Sequence, residues 1–352
     1  MGLLERVQGY YVRDEEDDDL GGGGRGYATR WRATPDLIAL AARHHITPEN
    51  VWDHFKETFD DAMPVVVRAT KGSAAKHGKG RTEALKLEPS GRLEEVAETV
   101  RGINLALRGI RWNLHATPFL VRIFSNGDVA DYRYNKGGRL YCRTEDNYQQ
   151  RKLADRLKIT MNGEACAEVD VQASQLCVFY ARCGDKLDLS EDPYAIEGIE
   201  RKVVKGLITA SFGKGGLPTR WPRGLREDYF AAHGRAVSEA YKLKDVKDRL
   251  MARHPVLSKL KPGKNDALVL QYEESEAIIA AMLDILKFNG VALPIHDSLL
   301  ATGEHTPLAE AMLRRAYRDR FGVEVRTRIH WGEAEVPDWY IMIGEYEKTR
   351  AK

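Results

Sequence analysis

Two short segments decide the fold of this chain: Ala167–Gln175, with the sequence AEVDVQASQ, and Leu293–Ser298, with the sequence LPIHDS. Each carries an apolar, strand-like run to an aspartate, Asp170 in the first and Asp297 in the second. An ionised carboxylate beside apolar strand residues is costly unless a cation or partner neutralises it. Two such aspartates, far apart in sequence, are typical of a two-metal phosphoryl-transfer site. Asp170 and Asp297 are therefore the predicted catalytic and metal-binding residues, for two Mg²⁺ ions or for Mn²⁺ in their place.

A third segment, residues 200–213, lies between these two in the sequence. It reads as a helix with cations in its first turns, apolar residues through its body and an aromatic residue and glycine at its end. A helix that directs cations toward a carboxylate-metal centre would bind a triphosphate. The predicted nucleotide-binding residues of this helix are Arg201, Lys202, Lys205, Phe212 and Gly213.

In this order the segments resemble the palm and fingers of family A DNA polymerases and, more distantly, the phage-type single-subunit RNA polymerases. Asp170 with Ser174 and Gln175 resembles the first catalytic strand of the family, residues 205–213 its nucleotide-binding helix, and His296 with Asp297 its last catalytic turn. The resemblance covers about residues 119 to 302. Further fragments agree in order: Gly137–Leu140, Gln149 with Gln150, Asp192–Tyr194 and Gln271.

The resemblance implies roles for further residues. Gln175, five places after Asp170, would crowd the 2′ position of the nucleotide sugar, which favours dNTPs over rNTPs. Contacts to the primer and template are implied for Arg139, Gln149, Arg156, Gln271 and His296.

Some positions depart from the family pattern. Counted back from Phe212, the key lysine of the family falls at Val204, so Lys205 or Lys202 has to take its role. Ser298 follows His296 and Asp297, as in the RNA polymerases. A primase-like or single-subunit RNA polymerase activity is therefore one alternative, and a catalytically inert nucleic-acid-binding palm protein is another.

Composition and the resemblance together imply three parts of the chain. Residues 1–28 combine an acidic run, Asp14–Asp19, with Gly21–Gly24 and are expected to be flexible. Residues 29–118 are expected to form a helical, thumb-like module, with helices starting near Thr34 and Thr47. Residues 119–352 are expected to form the palm and fingers, with the fingers at about 190–265. Because only about 118 residues precede the expected palm, no proofreading exonuclease is expected.

A glycine-rich basic loop at residues 71–81 interrupts the thumb-like module. Its cations and accessible backbone suit contacts with nucleic-acid phosphates, although a solvated surface loop would have a similar composition. The residues predicted to bind nucleic acid here are Lys71, Lys76, Lys79 and Arg81.

The overall composition limits the class of protein. With 43% hydrophobic and 30% charged residues, and no apolar run of about 20 residues, the chain is expected to be cytoplasmic and to have no membrane partner. Its four cysteines lack metal-binding spacing and are expected to be reduced. The net charge of +2 includes the acidic run, so the remainder is basic and suits a polyanionic partner.

Together with these features, the resemblance implies an α+β right-hand polymerase with an antiparallel-sheet palm, helical fingers and a reduced helical thumb. It is expected to extend a primer on a nucleic-acid template with dNTPs. A monomer from a phage or mobile element is expected, with a helicase, primase or processivity factor as a candidate partner.

Overall fold

The structure, a computed structural model, describes residues 4–7, 10–12, 25–27, 30–54, 63–70, 84–130 and 132–341. The acidic run, Gly21–Gly24 and the basic loop at 71–81 lie outside the described residues, so the predictions for Lys71, Lys76, Lys79 and Arg81 stay predictions. The chain divides into two compact units, Met1–Thr58 and Phe59–Lys352. This boundary falls inside the segment 29–118, which the sequence assigned to a single helical module.

Among its described residues, the first unit contains two short antiparallel strand pairs and two helices. Helix α1 begins as predicted, because the Thr34 hydroxyl accepts a hydrogen bond from the Leu37 backbone N–H and Pro35 occupies the first turn. The second helix was expected to start near Thr47 but begins at Val51. The elements are β1 (Leu4–Val7), β2 (Tyr10–Val12), β3 (Arg25–Tyr27), β4 (Arg30–Ala33), α1 (Pro35–Arg43) and α2 (Val51–His54), with β1 paired to β4 and β2 to β3.

The second unit combines two sheets with helices. Its first part contains β5 (Val65–Val67), α3 (Gly91–Arg108), β6 (Leu120–Phe124), β7 (Gly137–Cys142), α4 (Leu153–Arg156), β8 (Thr160–Met161) and β9 (Glu164–Val171). Its second part contains α5 (Ser174–Arg182), α6 (Arg201–Lys214), α7 (Arg223–His233), α8 (Val237–Ala240), α9 (Leu243–Arg253), α10 (Ala267–Lys287), β10 (Leu293–Ile295), β11 (Ser298–Thr302), α11 (Thr306–Phe321) and β12 (Thr327–His330).

A five-stranded antiparallel sheet, called here the aspartate sheet, carries both predicted segments. Its strands lie in the order β10-β11-β9-β12, with β8 also paired to β9. The hairpin of β8 and β9 turns at Asn162 and Gly163, both with positive φ, as the Asn-Gly pair predicted. Val169 and Leu299, paired across β9 and β11, are fully buried, so the residues before and after them point to the opposite face.

A second sheet lies in the same unit and includes part of the predicted thumb-like module. Strand β5 pairs in parallel with β6, and β6 pairs antiparallel with β7. Helix α10 packs against β7, α5 and α11, and its first turn is capped by Asp266, which accepts from the Val269 N–H. Residues 65–67 are thus a strand and not part of a helical module.

The mixed α+β class is confirmed, and several element boundaries differ from those predicted. Helix α10 was expected at Ser275–Phe288 but starts at Ala267, so Gln271 lies inside the helix and not at its opening. Strand β12 was expected at 324–329 and occupies 327–330. All four cysteines are free, as predicted. Within the described residues, no helix combines the length and apolar character that crossing a membrane would require.

Candidate active site

The register of the aspartate sheet brings the two predicted aspartates onto neighbouring strands. Asp170, the penultimate residue of β9, pairs with Ser298 of β11. Asp297 directly precedes Ser298 in the tight turn between β10 and β11, and its carbonyl accepts a hydrogen bond from the Val171 N–H at 3.3 Å. Both aspartates are only half-buried. Two segments more than 120 residues apart in sequence therefore meet where the neighbouring strands β9 and β11 end and begin.

Residues with left-handed backbone conformation lie next to both aspartates. Ala173, between Asp170 and helix α5, has φ of +54°, and His296, just before Asp297, has φ of +55°. Such conformations cost non-glycine residues on the order of 1–3 kcal/mol and concentrate at functional sites. Here they let the chain turn sharply after β9 and between β10 and β11, which leaves the two aspartates at the turns.

The two carboxylates disfavour each other's ionisation. Burial raises the pKa of Asp170 to about 7, and the nearby charges of Asp297 and Glu168 act in the same direction, whereas Lys205 and Arg328 oppose the rise. The pKa of Asp297 is also raised by burial, against the opposing charge of Arg139. Neither carboxylate forms an ion pair or accepts a hydrogen bond from another side chain among the described residues.

This donor set suits a hard divalent cation. Mg²⁺ is usually bound by one or two carboxylates together with substrate phosphates and water. Asp170 and Asp297 supply two such carboxylates whose mutual repulsion a cation would relieve. In the described part of the chain no cluster of three or more His, Cys, Asp or Glu residues is placed to hold a metal alone. The residues therefore fit ions that are completed by substrate oxygens, and they do not form a closed structural metal site.

A third carboxylate, Glu168, lies two residues before Asp170 on the same strand. It accepts two hydrogen bonds from Arg156, at 2.7 Å from Nε and 2.8 Å from Nη2, and one at 2.9 Å from the Ser298 hydroxyl. Glu168 and Arg156 are both largely buried. Arg156, predicted to contact nucleic acid, is thus already paired inside the protein. The sequence interpretation missed Glu168, although its period-two spacing from Asp170 placed it on the same face.

A second buried network includes Arg139. Its guanidinium donates to Glu274 of α10 through Nε, at 3.0 Å, and through Nη2. The Ser174 hydroxyl also donates to Glu274 and lies 2.7 Å from the hydroxyl of Tyr317. Glu274 is fully buried, and burial raises its pKa to about 7. Arg139 therefore joins β7 to α10, and its charge also favours the ionised form of Asp297.

Helix α6 supplies the cations predicted for the triphosphate. Lys205 is exposed, its Nζ lies 5.9 Å from the ring centroid of Tyr194, and its charge acts on both aspartates. Arg201 pairs with Asp192 at 2.5 Å and stacks over Tyr194 at 5.0 Å, while Lys202 is exposed. Val204, which stands where the resemblance would place the key lysine, is fully buried, so its side chain cannot contact a ligand.

The remaining predicted residues have mixed surroundings. Phe212 is buried in the core, 5.3 Å from Phe179, so its ring is not available to a base in this structure, while Gly213 follows it in α6. Gln149 is used internally: its amide bonds to the backbone of Leu140, Cys142 and Pro294. Gln175 and Gln271 are half-buried. His296 is exposed, and the centroid of its imidazole lies 6.3 Å from that of the Tyr141 ring.

Comparisons with known proteins give a structural likeness but no match to a family model or to a curated protein. Among solved structures, the chain is similar to the POL domain of Pol1 from M. smegmatis, solved in complex with a DNA primer-template and dNTP, with a TM-score of 0.35 and 13% identity. The match covers 69% of this chain and 51% of the M. smegmatis chain, so this protein spans about half the length of that chain.

Proposed function

We propose that this protein is a template-dependent nucleotidyltransferase that extends a primer with dNTPs. The observation that carries the proposal is the pair of unpartnered carboxylates, Asp170 and Asp297, on adjacent strands and within the electrostatic reach of Lys205 on α6. In this proposal the aspartate sheet is the palm, residues 190–265 are the fingers, and the helices before β6 form a reduced thumb.

Asp170 and Asp297 would hold two divalent ions. When bound, Mg²⁺ would lower the pKa of the primer 3′-hydroxyl and neutralise negative charge on the triphosphate. The 3′-oxygen forms a bond to the α-phosphorus as the bond from that phosphorus to the bridging oxygen breaks, pyrophosphate departs, and the hydroxyl proton passes to solvent. Lys205 and Arg201 orient the phosphates, and Gln175 lies near the sugar.

The buried networks would support this chemistry without touching the reacting atoms. Arg156 neutralises Glu168 beside Asp170, and Arg139 neutralises Glu274 and favours ionised Asp297. Both arginines would thereby fix the strands that carry the aspartates. Exposed His296, next to Asp297, would face the primer terminus.

The test is primer extension with dNTPs and, in parallel, with rNTPs, on both DNA and RNA templates. Incorporation that needs Mg²⁺ or Mn²⁺ and a complementary template supports the proposal. Incubation of a labelled primer without nucleotides tests for exonuclease, for which no shortening is expected. No incorporation under any combination, from folded protein, would defeat the proposal and favour the inert nucleic-acid-binding alternative.

An RNA-synthesising activity is the second candidate, because Ser298 stands where the RNA polymerases of the resemblance have serine. In the structure the Ser298 hydroxyl donates to Glu168 and to the Ile295 carbonyl, at 2.9 and 3.0 Å. It therefore has a structural use that does not depend on the sugar of the nucleotide. Better use of rNTPs than of dNTPs would establish this second candidate.

A further inference from the structure

Arg328 occupies a position that the sequence interpretation did not single out. It lies on β12, the edge strand beside β9, and pairs in register with Asp170. Residues directly opposite each other on antiparallel strands project from the same face of a sheet. Arg328, Asp170 and Ser298 therefore form one row across the aspartate sheet, with Asp170 in the middle.

The side chain of Arg328 differs from the other arginines near the site. It is exposed and, within the described residues, forms no ion pair and no side-chain hydrogen bond. Arg139 and Arg156, in contrast, are largely buried against Glu274 and Glu168. An arginine that is held beside a carboxylate centre without a partner of its own is available to an anionic ligand.

The charge of Arg328 reaches the same space as helix α6. The pKa of Asp192 is lowered, despite burial, mainly by hydrogen bonds from Arg201 and the Tyr194 backbone, and the charge of Arg328 contributes. Asp192 is the ion-pair partner of Arg201 on α6. The charges of Arg328, on the sheet, and of Arg201, on helix α6, therefore both act on Asp192.

We propose that Arg328 binds the β- and γ-phosphates of the incoming nucleoside triphosphate, and then the departing pyrophosphate, from the sheet side of the site. This inference rests on the proposed function and adds a triphosphate-binding residue outside the α6 helix. A guanidinium presents a planar fork of donors that matches two phosphate oxygens, which an ammonium group cannot do. The row of Arg328 and Asp170 would place this fork next to the ions that share the same phosphate oxygens.

The experiment measures equilibrium binding to Arg328→Ala, Arg328→Lys and the unchanged protein. The probes are a matched Mg²⁺-dNTP, with a primer-template whose primer lacks a 3′-hydroxyl, and Mg²⁺-pyrophosphate. Loss of charge-assisted hydrogen bonds predicts Kd values roughly ten- to hundredfold higher for both probes in Arg328→Ala. Arg328→Lys should recover part of the loss. The control is Arg315→Ala, which removes an exposed arginine of α11 paired with Asp319 and should change neither Kd.

Unchanged dNTP and pyrophosphate affinities in folded Arg328→Ala would overturn the inference. A higher Mg²⁺ requirement with unchanged affinity for both probes would also overturn it, because Arg328 would then act only through Asp170. Primer-template affinity should be the same in all variants, and an equal loss there would indicate a general disturbance and contradict the specific role. If the unchanged protein binds both probes but incorporates nothing, the proposed function fails while the binding comparison still decides the role of Arg328.

Discussion

Two glutamates and two aspartates near the aspartate sheet have opposite surroundings. Glu168 and Glu274 are buried, and each accepts hydrogen bonds from an arginine and from a serine hydroxyl. Asp170 and Asp297 are half-buried, yet among the described residues neither has an ion-pair partner. Buried charges are normally paired, so the glutamates look like structural groups. In the part of the chain that the structure describes, the aspartates have no such partner, which is consistent with their proposed role as metal ligands.

The largest expected effect concerns the aspartates as metal ligands. Asp170→Asn and Asp297→Asn should each reduce nucleotide incorporation at least a thousandfold, because charge stabilisation by metal ions contributes several kcal/mol. Primer-extension rates at saturating Mg²⁺ check this, with circular dichroism to establish folding. Asp319→Asn on α11 is the matched control and should keep full activity. A folded Asp170→Asn variant that kept a tenth of the original rate would show that Asp170 is not an essential metal ligand, and the proposed functional difference between the aspartates and the glutamates would fail.

The next effect concerns the glutamates as structural groups. Arg139→Met should lower the free energy of unfolding by about 3–5 kcal/mol at pH 8, because it leaves buried Glu274 without its cation. The pKa of Glu274 is raised by burial, so its ionised form destabilises the fold, and the loss should shrink near pH 5, where Glu274 is protonated. Urea unfolding at both pH values measures it.

Arg315→Met is the control for this change, because the pair of Arg315 with Asp319 is exposed and should contribute less than about 1 kcal/mol. If Arg139→Met and Arg315→Met lowered the free energy of unfolding equally, the ion pair with Arg139 would not be what stabilises buried Glu274.

The sequence predicted those parts of the fold and site that depend on local signals. The Asn162-Gly163 turn, the Thr34 cap and the helix at residues 201–214 each follow from residues adjacent in the chain. The strands around Asp170 and Asp297 followed from their apolar patterns, which is why these two aspartates could be identified.

The partners of the charged residues could not be predicted in the same way. Glu274 is 135 residues from Arg139, and Arg328 faces Asp170 only because β12 adds to the edge of β9. Such pairings depend on strand order, which no local pattern specifies. As a result Arg139 and Arg156 were interpreted as nucleic-acid contacts, although in the fold each is paired with a buried glutamate.

A smaller effect should separate function from stability at Asp170. Its pKa is raised to about 7 in the folded protein, mainly by burial, against an ordinary value of 3.8. The folded state therefore holds a proton that the unfolded state releases, and metal-free stability should fall as pH rises from about 4 to 7. Asp170→Asn removes this pH-dependent loss of stability. In EDTA the variant should therefore have a higher melting temperature than the unchanged protein at pH 8, and the two melting temperatures should be much closer at pH 4.

Thermal unfolding with and without Mg²⁺ completes this comparison. Mg²⁺ should raise the melting temperature of the unchanged protein, because a ligand stabilises the state it binds, and should have little effect on Asp170→Asn. A variant less stable than the unchanged protein at pH 8 would show that the Asp170 carboxylate is satisfied like that of Glu168.

The smallest expected effect concerns selection of the nucleotide sugar by Gln175. Gln175 directly follows Ser174, the serine that donates to Glu274, and is five places after Asp170. It is half-buried in the first turn of α5. In the proposed function its side chain would crowd a 2′-hydroxyl. A ribose hydroxyl buried without a partner loses its bonds to water, at a cost of roughly 1–3 kcal/mol.

Gln175→Ala should therefore lower the preference for dNTPs over rNTPs about five- to tenfold while changing dNTP use little. Steady-state incorporation of a matched dNTP and rNTP measures the ratio, and Gln172→Ala is the control on the same turn. A ratio that is unchanged in Gln175→Ala would locate sugar selection elsewhere, and a preference for rNTPs in the unchanged protein would establish RNA synthesis in place of DNA synthesis.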